Sequence, residues 1–371
     1  MIKRRKTRLV KVGDVRIGQG APVSIQSMTK VETQNVKGVL CQIKRLEGAG
    51  CEIIRVAVKN FQDAEAIKGI KKKIRMPLVC DIHFNHRLAL AAIENGADKI
   101  RLNPGNIRKK EEIAAIVKAA KKARIPIRIG VNSGSVVFRG SGIGKRVSGI
   151  GYRETGKVRN NDSKSVSHKL VDSALGYIGL FEDMNFRDII ISLKASDVVS
   201  TVEAYRLMAE RCDYPFHLGV TASGPYESGI VKSSIGIGAL LLDGIGDTLR
   251  VSLTSDPVDE VIAAKRILSS VGMRNFGPDI IACPTCGRCQ VELVKIVQEL
   301  DEKLYAIRYT LNAKRPLKIA LMGCEVNGPG EAIDADIGVA FGKGRGMLFK
   351  KGKIVRKIKT ANALEEILKE L

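Results

Sequence analysis

Eight short apolar segments, rich in β-branched residues, recur along the first two thirds of the chain and constrain its fold more than any other feature. Most are nearly continuous apolar runs, which are typical of parallel strands covered on both faces. Segments with the apolar spacing of helices lie between them, and several end at a glycine, as at Gly50 and Gly96. The predicted strands cover residues 23–28, 52–58, 78–82, 99–104, 127–132, 188–194, 216–221 and 248–254.

Eight strand–helix units of this kind predict a closed TIM (β/α)8 barrel rather than an open, doubly wound sheet. An open sheet that binds a dinucleotide normally has a glycine-rich loop after its first strand. Here Thr29, Lys30 and Val31 follow the first predicted strand, so that signature is missing. We therefore predict an α/β protein with a TIM barrel over residues 1–272 and a smaller α+β domain over residues 279–371.

Residues 138–168 interrupt the barrel pattern because they are rich in Gly, Arg, Lys and Ser and show little apolar periodicity. This pattern predicts a long basic loop after the fifth strand, and a functional lid and an inert insertion both agree with it. The second domain has a pattern of its own. Its predicted elements are a helix over 290–304, a strand over 317–322, a basic hairpin over 347–358 and a final helix over 361–371.

Charge and hydropathy narrow the class of protein. Lys and Arg number 62 against 39 Asp and Glu, which gives a net charge of +23 and allows a nucleic acid, a membrane surface or an acidic partner. No apolar stretch of signal-peptide length follows the basic N-terminus, and none in the chain has the length of a membrane span. We therefore predict a cytoplasmic protein that does not bind a membrane. Aromatic residues make up only 4% and are not interleaved with the basic runs, which argues against nucleic-acid binding.

Polar and charged residues lie where the predicted barrel strands end, which is where barrel enzymes carry their active sites. Arginine and lysine are costly to bury without a partner, and these strands carry few acids. An internal ion-pair network with Asp81 would satisfy some of the cations. The excess predicts a phosphate or diphosphate ligand, because Arg binds phosphate through two parallel hydrogen bonds. The candidates are Arg55, Asp81, His83, Arg101, Asn103, Arg128, Asn132, Lys194, His217, Thr221, Arg250 and Ser252.

Four of the eight cysteines form a candidate metal site. Cys283, Cys286 and Cys289 lie in CPTCGRC, just before a predicted helix, and Cys324 follows much later in GCEVNGPGE. A structural zinc site normally draws on a second cysteine pair, which this chain does not supply. A cubane iron–sulfur cluster tolerates a ligand other than cysteine at one corner, so three cysteines and one carboxylate favour it over zinc. Cys289 is the alternative fourth ligand, unless it only packs against the helix.

Ten motifs, in one order from about Lys6 to the C-terminus, together resemble the bacterial two-domain family of 4-hydroxy-3-methylbut-2-enyl diphosphate synthases. The motifs are SIQSMT, EIIRVAV, DIHF, KIRLNPGN, RIGVNSGS, SLKASD, HLGVT, GIGDTLRVSLT, CPTCGRC and GCEVNGPGE. The resemblance implies an amino-terminal TIM barrel and a carboxy-terminal domain with a 4Fe–4S cluster. It also implies the reductive ring opening and dehydration of 2-C-methyl-D-erythritol 2,4-cyclodiphosphate in the methylerythritol phosphate route to isoprenoids.

Carried over motif by motif, the resemblance also implies site residues and partners. The implied cluster ligands are Cys283, Cys286, Cys324 and Glu331, of which Cys324 and Glu331 are also the expected catalytic residues. The implied substrate-binding residues are Arg55, Arg101, Asn103, Arg128, Asn132 and Lys194. The expected partners are the cyclic diphosphate, ferredoxin or flavodoxin as electron donor, and a second copy in a homodimer.

One departure from the family pattern concerns the loop after the seventh strand. The family commonly has a glutamate where this chain has Ala222, and Glu227 is the nearest candidate to replace it. The alternative function is that of a basic, zinc-containing nucleic-acid-binding protein, which the net charge and the CPxCG sequence motivate. We expect neither nucleic acid nor a membrane as a partner.

Overall fold

The computed structural model describes residues 2–134, 165–221, 224–307, 317–325, 330 and 334–371. The predicted basic loop 138–168 lies outside these ranges except at its end. There the loop prediction is wrong for residues 166–168, because the Ser165 side chain accepts a hydrogen bond from the His168 backbone N–H and starts a helix at Val166. The chain divides into two compact units, Met1–Arg274 and Asn275–Leu371.

The first unit is a barrel of eight parallel strands preceded by a two-stranded antiparallel hairpin. The eight barrel strands are hydrogen-bonded in the order β8-β7-β6-β5-β4-β3-β10-β9, and a parallel bridge between Ile191 and Phe216 links the two ends of that series. The hairpin strands are β1 (Val10–Val12) and β2 (Val15–Ile17). The barrel strands are β3 (Ser24–Met28), β4 (Ile53–Val58), β5 (Leu78–Ile82), β6 (Lys99–Leu102), β7 (Ile127–Asn132), β8 (Ile189–Lys194), β9 (His217–Leu218) and β10 (Thr248–Leu249).

All eight predicted strands are confirmed in their order, and the predicted barrel with them. The last two are much shorter than expected, because regular pairing stops at Leu218 and Leu249. Six of the described helices of this unit begin beside an Asn, Ser or Asp whose side chain accepts a backbone N–H of the first turn. The helices are α1 (Val36–Ala49), α2 (Phe61–Lys71), α3 (His86–Glu94), α4 (Lys110–Ala123), α5 (Val166–Asp183), α6 (Val198–Ala209), α7 (Tyr226–Leu242) and α8 (Pro257–Ser270).

The hairpin β1–β2 closes the amino end of the barrel. Its buried side chains Val12 and Ile17 pack in one apolar cluster with Ile53, Val79 and Ile190, which come from three different barrel strands. Because this end is filled with apolar side chains, the polar interior of the barrel opens toward the carboxyl ends of the strands. That is the end at which TIM-barrel enzymes bind substrate.

The second unit is a five-stranded sheet in the order β11-β12-β13-β14-β15, with two parallel pairings followed by two antiparallel ones. Helices α9 and α10 pack against it through Leu300, Leu304 and Ile367. The elements are β11 (Asp279–Ala282), α9 (Leu293–Ile307), β12 (Lys318–Met322), β13 (Ile337–Gly342), β14 (Arg345–Lys350), β15 (Lys353–Lys359) and α10 (Ala363–Lys369), with a 3-10 turn at Thr360–Asn362 before α10.

The predicted strand, hairpin and two helices of this unit are confirmed, with shifted helix ends. Helix α9 begins at Leu293 rather than at Gln290, whose backbone N–H is bonded to the Gly323 carbonyl. None of the helices in the described ranges combines the length and the apolar character needed to cross a membrane.

Candidate active site

Asp81 is the centre of an ion-pair network inside the barrel. Its Oδ1 lies 3.2 Å from Arg101 Nη1, and its Oδ2 lies 3.9 Å from Arg55 Nε and 3.5 Å from His83 Nε2. Arg101 Nη2 also donates to the Gly130 carbonyl at 3.1 Å. The expected internal network is therefore present for Arg55 and Arg101.

The charges of this network decide the ionisation of Asp81. Burial opposes ionisation of the carboxyl, but the positive charges of Arg55 and Arg101 outweigh it and hold the pKa of Asp81 well below its ordinary value. Burial lowers the pKa of Arg55 to about 9, which still leaves its guanidinium charged at neutral pH. Asp81 is thus an anion between two cations.

One carboxylate does not balance the cations of the barrel. The eight barrel strands carry five positive side chains against the single acid Asp81. Four of the five are almost fully buried, and Arg55 is largely so. The cations are Arg55, Lys99, Arg101, Arg128 and Lys194. A bound anion is the natural complement of this excess.

Two glycines make room for cations near the carboxyl ends of the strands. A Cβ at Gly130 would lie 2.5 Å from Arg101 Nε, and a Cβ at Gly219 would lie 2.5 Å from Lys194 Nζ. Since real Cβ atoms do not approach other atoms this closely, any larger residue would displace these cations. The two glycines therefore belong to the construction of the site.

The predicted substrate residues lie at different depths. Asn132 and Lys194 are paired at the ends of β7 and β8, and Asn103 follows β6, where its Oδ1 accepts the Gly105 backbone N–H at 3.0 Å. Arg101 lies one residue before the end of its strand. Arg128, by contrast, is the second residue of β7, so the expectation that it marks a strand end is wrong.

The register of the sheet explains the depth of Arg128. Because barrel strands are tilted, inward side chains from alternate strands form layers of four. One layer contains Gln26, Val79, Arg128 and His217, and the layer nearer the amino end contains Ile53, Lys99, Ile190 and Thr248. Arg55, Arg101 and Arg250 lie in the layer nearer the carboxyl end. Arg128 thus lies beneath the other predicted clamp residues.

Two residues that we did not select from the sequence contact the site. Glu260 of α8 is buried, and its carboxylate lies 3.4 Å from Arg250 Nε and accepts the Leu253 backbone N–H at 3.1 Å. Met28 Sδ lies 3.0 Å from Arg55 Nε. A glutamate among the apolar residues of the predicted helix PVDEVIAAK was the available signal for Glu260. Nothing in the pattern marked Met28.

Three cysteines lie at or beside strand ends of the second unit. Cys283 follows β11, and Cys324 lies two residues after the parallel neighbour β12. Cys283 Sγ accepts the backbone N–H of Gly323 at 3.2 Å, which brings the two strand ends together. Cys286 is exposed, and the backbone N–H of Arg288 lowers the pKa of its thiol, which favours a thiolate.

Cys289 packs inside the second unit. Its Sγ donates to the Val291 carbonyl at 3.2 Å, and its side chain packs against the core under α9, as the side chain of Cys283 also does. A Cβ on Gly323 would lie 2.5 Å from the Cys289 sulfur. The packing role expected for Cys289 is therefore present, and its alternative role as a cluster ligand stays a prediction.

The donor chemistry of this region fits an iron–sulfur cluster, which thiolates hold. Cys283 and Cys324 come from adjacent strand ends, and Cys286 is the readily ionised thiol. Within the ranges that the structure describes, no three His, Cys, Asp or Glu side chains are close enough to hold a metal ion. The predicted fourth ligand Glu331 lies outside the described residues, as does Ala222.

Fold and side chains together define a class of protein: a TIM barrel with a basic interior, followed by an α/β unit with cysteines at its strand ends. Two protein-family models match the sequence of this chain. The family model described as the GcpE TIM-barrel domain matches residues 7–265, and the one described as the GcpE protein C-terminal domain matches residues 279–371. The chain belongs to the GcpE family.

Three full-length relatives of this chain share the name 4-hydroxy-3-methylbut-2-en-1-yl diphosphate synthase (flavodoxin). The protein of Thermodesulfovibrio yellowstonii is 49% identical over 371 residues, covering 100% of this chain and 99% of the relative. That of Caldanaerobacter subterraneus is 50% identical and covers 100% of this chain and 98% of the relative. That of Anoxybacillus flavithermus is 49% identical, with 100% and 95% covered. The family does not support the alternative of a zinc-containing nucleic-acid-binding protein.

Proposed function

We propose that this chain converts 2-C-methyl-D-erythritol 2,4-cyclodiphosphate to (E)-4-hydroxy-3-methylbut-2-enyl diphosphate by reductive ring opening and dehydration. The reaction belongs to the methylerythritol phosphate pathway of isoprenoid biosynthesis. The observation that carries the proposal is identity of about half of all residues, from end to end, with synthases of that name. The chain is then an iron–sulfur oxidoreductase.

In this proposal, residues 1–272 bind the cyclic diphosphate. Arg55, Arg101 and Lys194 neutralise its phosphates, and Asn103 and Asn132 offer amide groups at the strand ends. Arg128 adds positive charge from the layer beneath. Asp81 holds the Arg101 guanidinium in place at 3.2 Å, so that its remaining donors stay oriented before substrate arrives.

Residues 279–371 form the cluster domain of the proposal. Cys283, Cys286, Cys324 and Glu331 would hold a 4Fe–4S cluster, and Cys324 and Glu331 keep their predicted catalytic role. Such a cluster supplies single electrons and a Lewis-acidic iron to the reaction. The Gly323 N–H donated to Cys283 Sγ would stabilise the negative charge of that thiolate.

The proposed electron donor is flavodoxin, the carrier in the names of the relatives, with ferredoxin as the other predicted carrier. Both carry one electron at a time. The homodimer and the cytoplasmic location stay predictions.

Serine variants of the proposed ligands test the cluster assignment. Cys283→Ser, Cys286→Ser and Cys324→Ser should each lose most of the iron–sulfur absorption and nearly all turnover in anaerobic preparations, because serine is a poor ligand for iron in such clusters. Cys41→Ser is the matched control, since Cys41 is an exposed cysteine of the barrel unit. Ligand variants with the spectrum and turnover of wild type would remove these cysteines from the site.

A further inference from the structure

Deep inside the barrel, several polar side chains have donor atoms without a partner. Lys99 and His217 are 0% exposed, and Gln26 and Arg128 are 1% exposed. Within the described chain, Lys99 Nζ, Arg128 Nε and Nη1, both ring nitrogens of His217 and the Gln26 amide have no hydrogen-bond partner. Thr248 Oγ1 is in the same situation.

These side chains lie together rather than scattered through the core. Gln26, Arg128 and His217 share one layer of the barrel, and Lys99 and Thr248 belong to the layer beneath it. Burial and then the charge of Arg128 lower the pKa of Lys99, and the same two causes lower that of His217. The charge of Arg128 therefore acts electrostatically on both Lys99 and His217.

The carboxylates of the barrel do not reach this group through any described hydrogen bond or ion pair. Asp81 is engaged by Arg101, Arg55 and His83, in layers nearer the carboxyl ends of the strands. Glu260 pairs with Arg250 and Lys30. Below, the apolar side chains of the hairpin β1–β2 close the barrel. The group is thus rich in donors, poor in negative charge and shielded from solvent.

Such an arrangement needs a counter-charge. Buried cations without hydrogen-bond acceptors are strongly unfavourable, and a protein compensates for them by pairing, by neutralisation or by binding an ion. The ion must be small, since it has to lie among fully buried side chains. Its donors here are N–H groups from a lysine, an arginine and a histidine, which attract anions and repel metal cations.

We propose that a monovalent inorganic anion of halide size, with chloride as the cellular ion, binds inside the barrel between Lys99, Arg128 and His217. This site lies beneath the layer of Arg55, Arg101 and Arg250, and Arg128 borders both this site and the proposed diphosphate site above it. The anion offsets the repulsion between Lys99 and Arg128 and so helps Arg128 to remain charged under the substrate.

Thermal unfolding of the anaerobic holoenzyme tests the proposal. Sodium chloride is compared with sodium gluconate at equal ionic strength, because gluconate is too large for a closed site. We expect chloride to raise the Tm of the wild type by about 2–4 °C, the shift for binding at a concentration several times above Kd. Equal Tm values in the two salts would overturn the proposal.

Two variants separate the buried site from general salt effects. Lys99→Met keeps an unbranched side chain, one heavy atom shorter, and removes its charge, and it should abolish the difference in Tm between chloride and gluconate. Lys118→Met removes a charge from the exposed face of α4 and should leave the difference unchanged. A full chloride effect in the Lys99 variant would contradict the site.

A measurement on the wild type covers the case in which the Lys99 variant does not fold. Crystals of the holoenzyme grown in bromide should show an anomalous peak between Lys99 Nζ and Arg128 Nη1. An ordered water with no anomalous signal at that position would overturn the proposal. So would a bromide bound only at the strand ends near Lys194.

Discussion

Asp81 shows how a single residue organises a site. It is the acidic residue among five cations on the barrel strands. Its carboxylate contacts Arg101 at 3.2 Å and lies 3.9 Å from Arg55 and 3.5 Å from His83. Loss of Asp81 would leave the arginines buried without a charge partner. The free energy of folding lost in this way is larger than the net contribution of the intact ion pairs. Asp81 is therefore a positioning residue for the proposed substrate-binding arginines.

Asp81→Asn should destabilise the barrel by about 3 kcal/mol at pH 7, the usual range for breaking a buried pair. Because the pKa of Asp81 is lowered in the folded state, its contribution is present above its unfolded value of about 4 and is lost as pH falls toward the folded value. The wild type should thus lose stability below about pH 4 more steeply than the variant. Chemical denaturation at several pH values measures both effects.

Asp213→Asn is the matched control for this prediction, because Asp213 is 55% exposed and pairs with Arg8 at the surface. It should change stability by less than about 1 kcal/mol. If Asp81→Asn changed stability as little as Asp213→Asn and kept the acid dependence of the wild type, the ion-pair network of Asp81 would not stabilise the barrel.

Residue chemistry was predictable from the sequence where a charged side chain interrupts an apolar strand near its end. Arg101 and Lys194 were found in this way, whereas Arg55, which was also selected, is the third of the six residues of β4. The depth of Arg128 was not, because depth depends on the tilt and register of eight strands paired across the whole barrel. Lys99 was not among the candidate site residues for the same reason. As the first residue of a predicted strand, it could equally have been a solvent-exposed lysine.

At the scale of elements, glycines within strands place the cations. Gly130 of β7 receives the Arg101 side chain, and its carbonyl accepts Arg101 Nη2. A larger residue at position 130 would displace the side chain of Arg101, which comes from the neighbouring strand β6. Gly130 therefore affects the site by leaving room for Arg101 between β6 and β7.

Gly130→Ala should raise KM for the cyclic diphosphate about tenfold or more, equivalent to a loss of about 1.4 kcal/mol of binding. The new Cβ would meet Arg101 Nε at 2.5 Å and push the guanidinium away from Asp81. Steady-state kinetics under anaerobic conditions give KM and kcat separately. Gly179→Ala on α5 is the control, since a Cβ there meets open space. Equal KM values for the two variants would contradict this role of Gly130.

The strands and helices were largely predictable because their periodicity and caps are local features. The hairpin β1–β2 was not expected, since its strands are only three residues long and gain their burial from Ile53, Val79 and Ile190 of the barrel. The predicted start of α9 was three residues too early, and the segment before Leu293 is instead tied to a distant part of the chain, the carbonyl of Gly323, through the backbone N–H of Gln290. Contacts between distant residues decide such cases.

In the whole molecule, the positive side chains behind the net charge of +23 lie in two kinds of environment. Some of the charge lies inside the barrel, and much of the rest is exposed. In the hairpin β14–β15, Lys350 and Arg356 pair with Glu370, which directly follows α10, whereas Lys353, Lys357 and Lys359 are exposed. An exposed basic strand in the second unit, which is the proposed cluster domain, is suited to an acidic electron carrier.

Reduction by flavodoxin should therefore slow as ionic strength rises, while reduction by a small neutral dye should not. Long-range attraction between opposite charges increases the association rate and is screened within about 10 Å at 0.1 M salt. Stopped-flow spectroscopy of both reactions makes the comparison. Equal salt dependence with the two donors would exclude steering by the surface charge.

One anaerobic assay tests whether this chain is an iron–sulfur enzyme that opens the cyclic diphosphate. Purified protein is analysed for metal and then supplied with reduced flavodoxin and 2-C-methyl-D-erythritol 2,4-cyclodiphosphate. We predict about four irons per chain and formation of (E)-4-hydroxy-3-methylbut-2-enyl diphosphate. A single zinc per chain and no product would contradict the account.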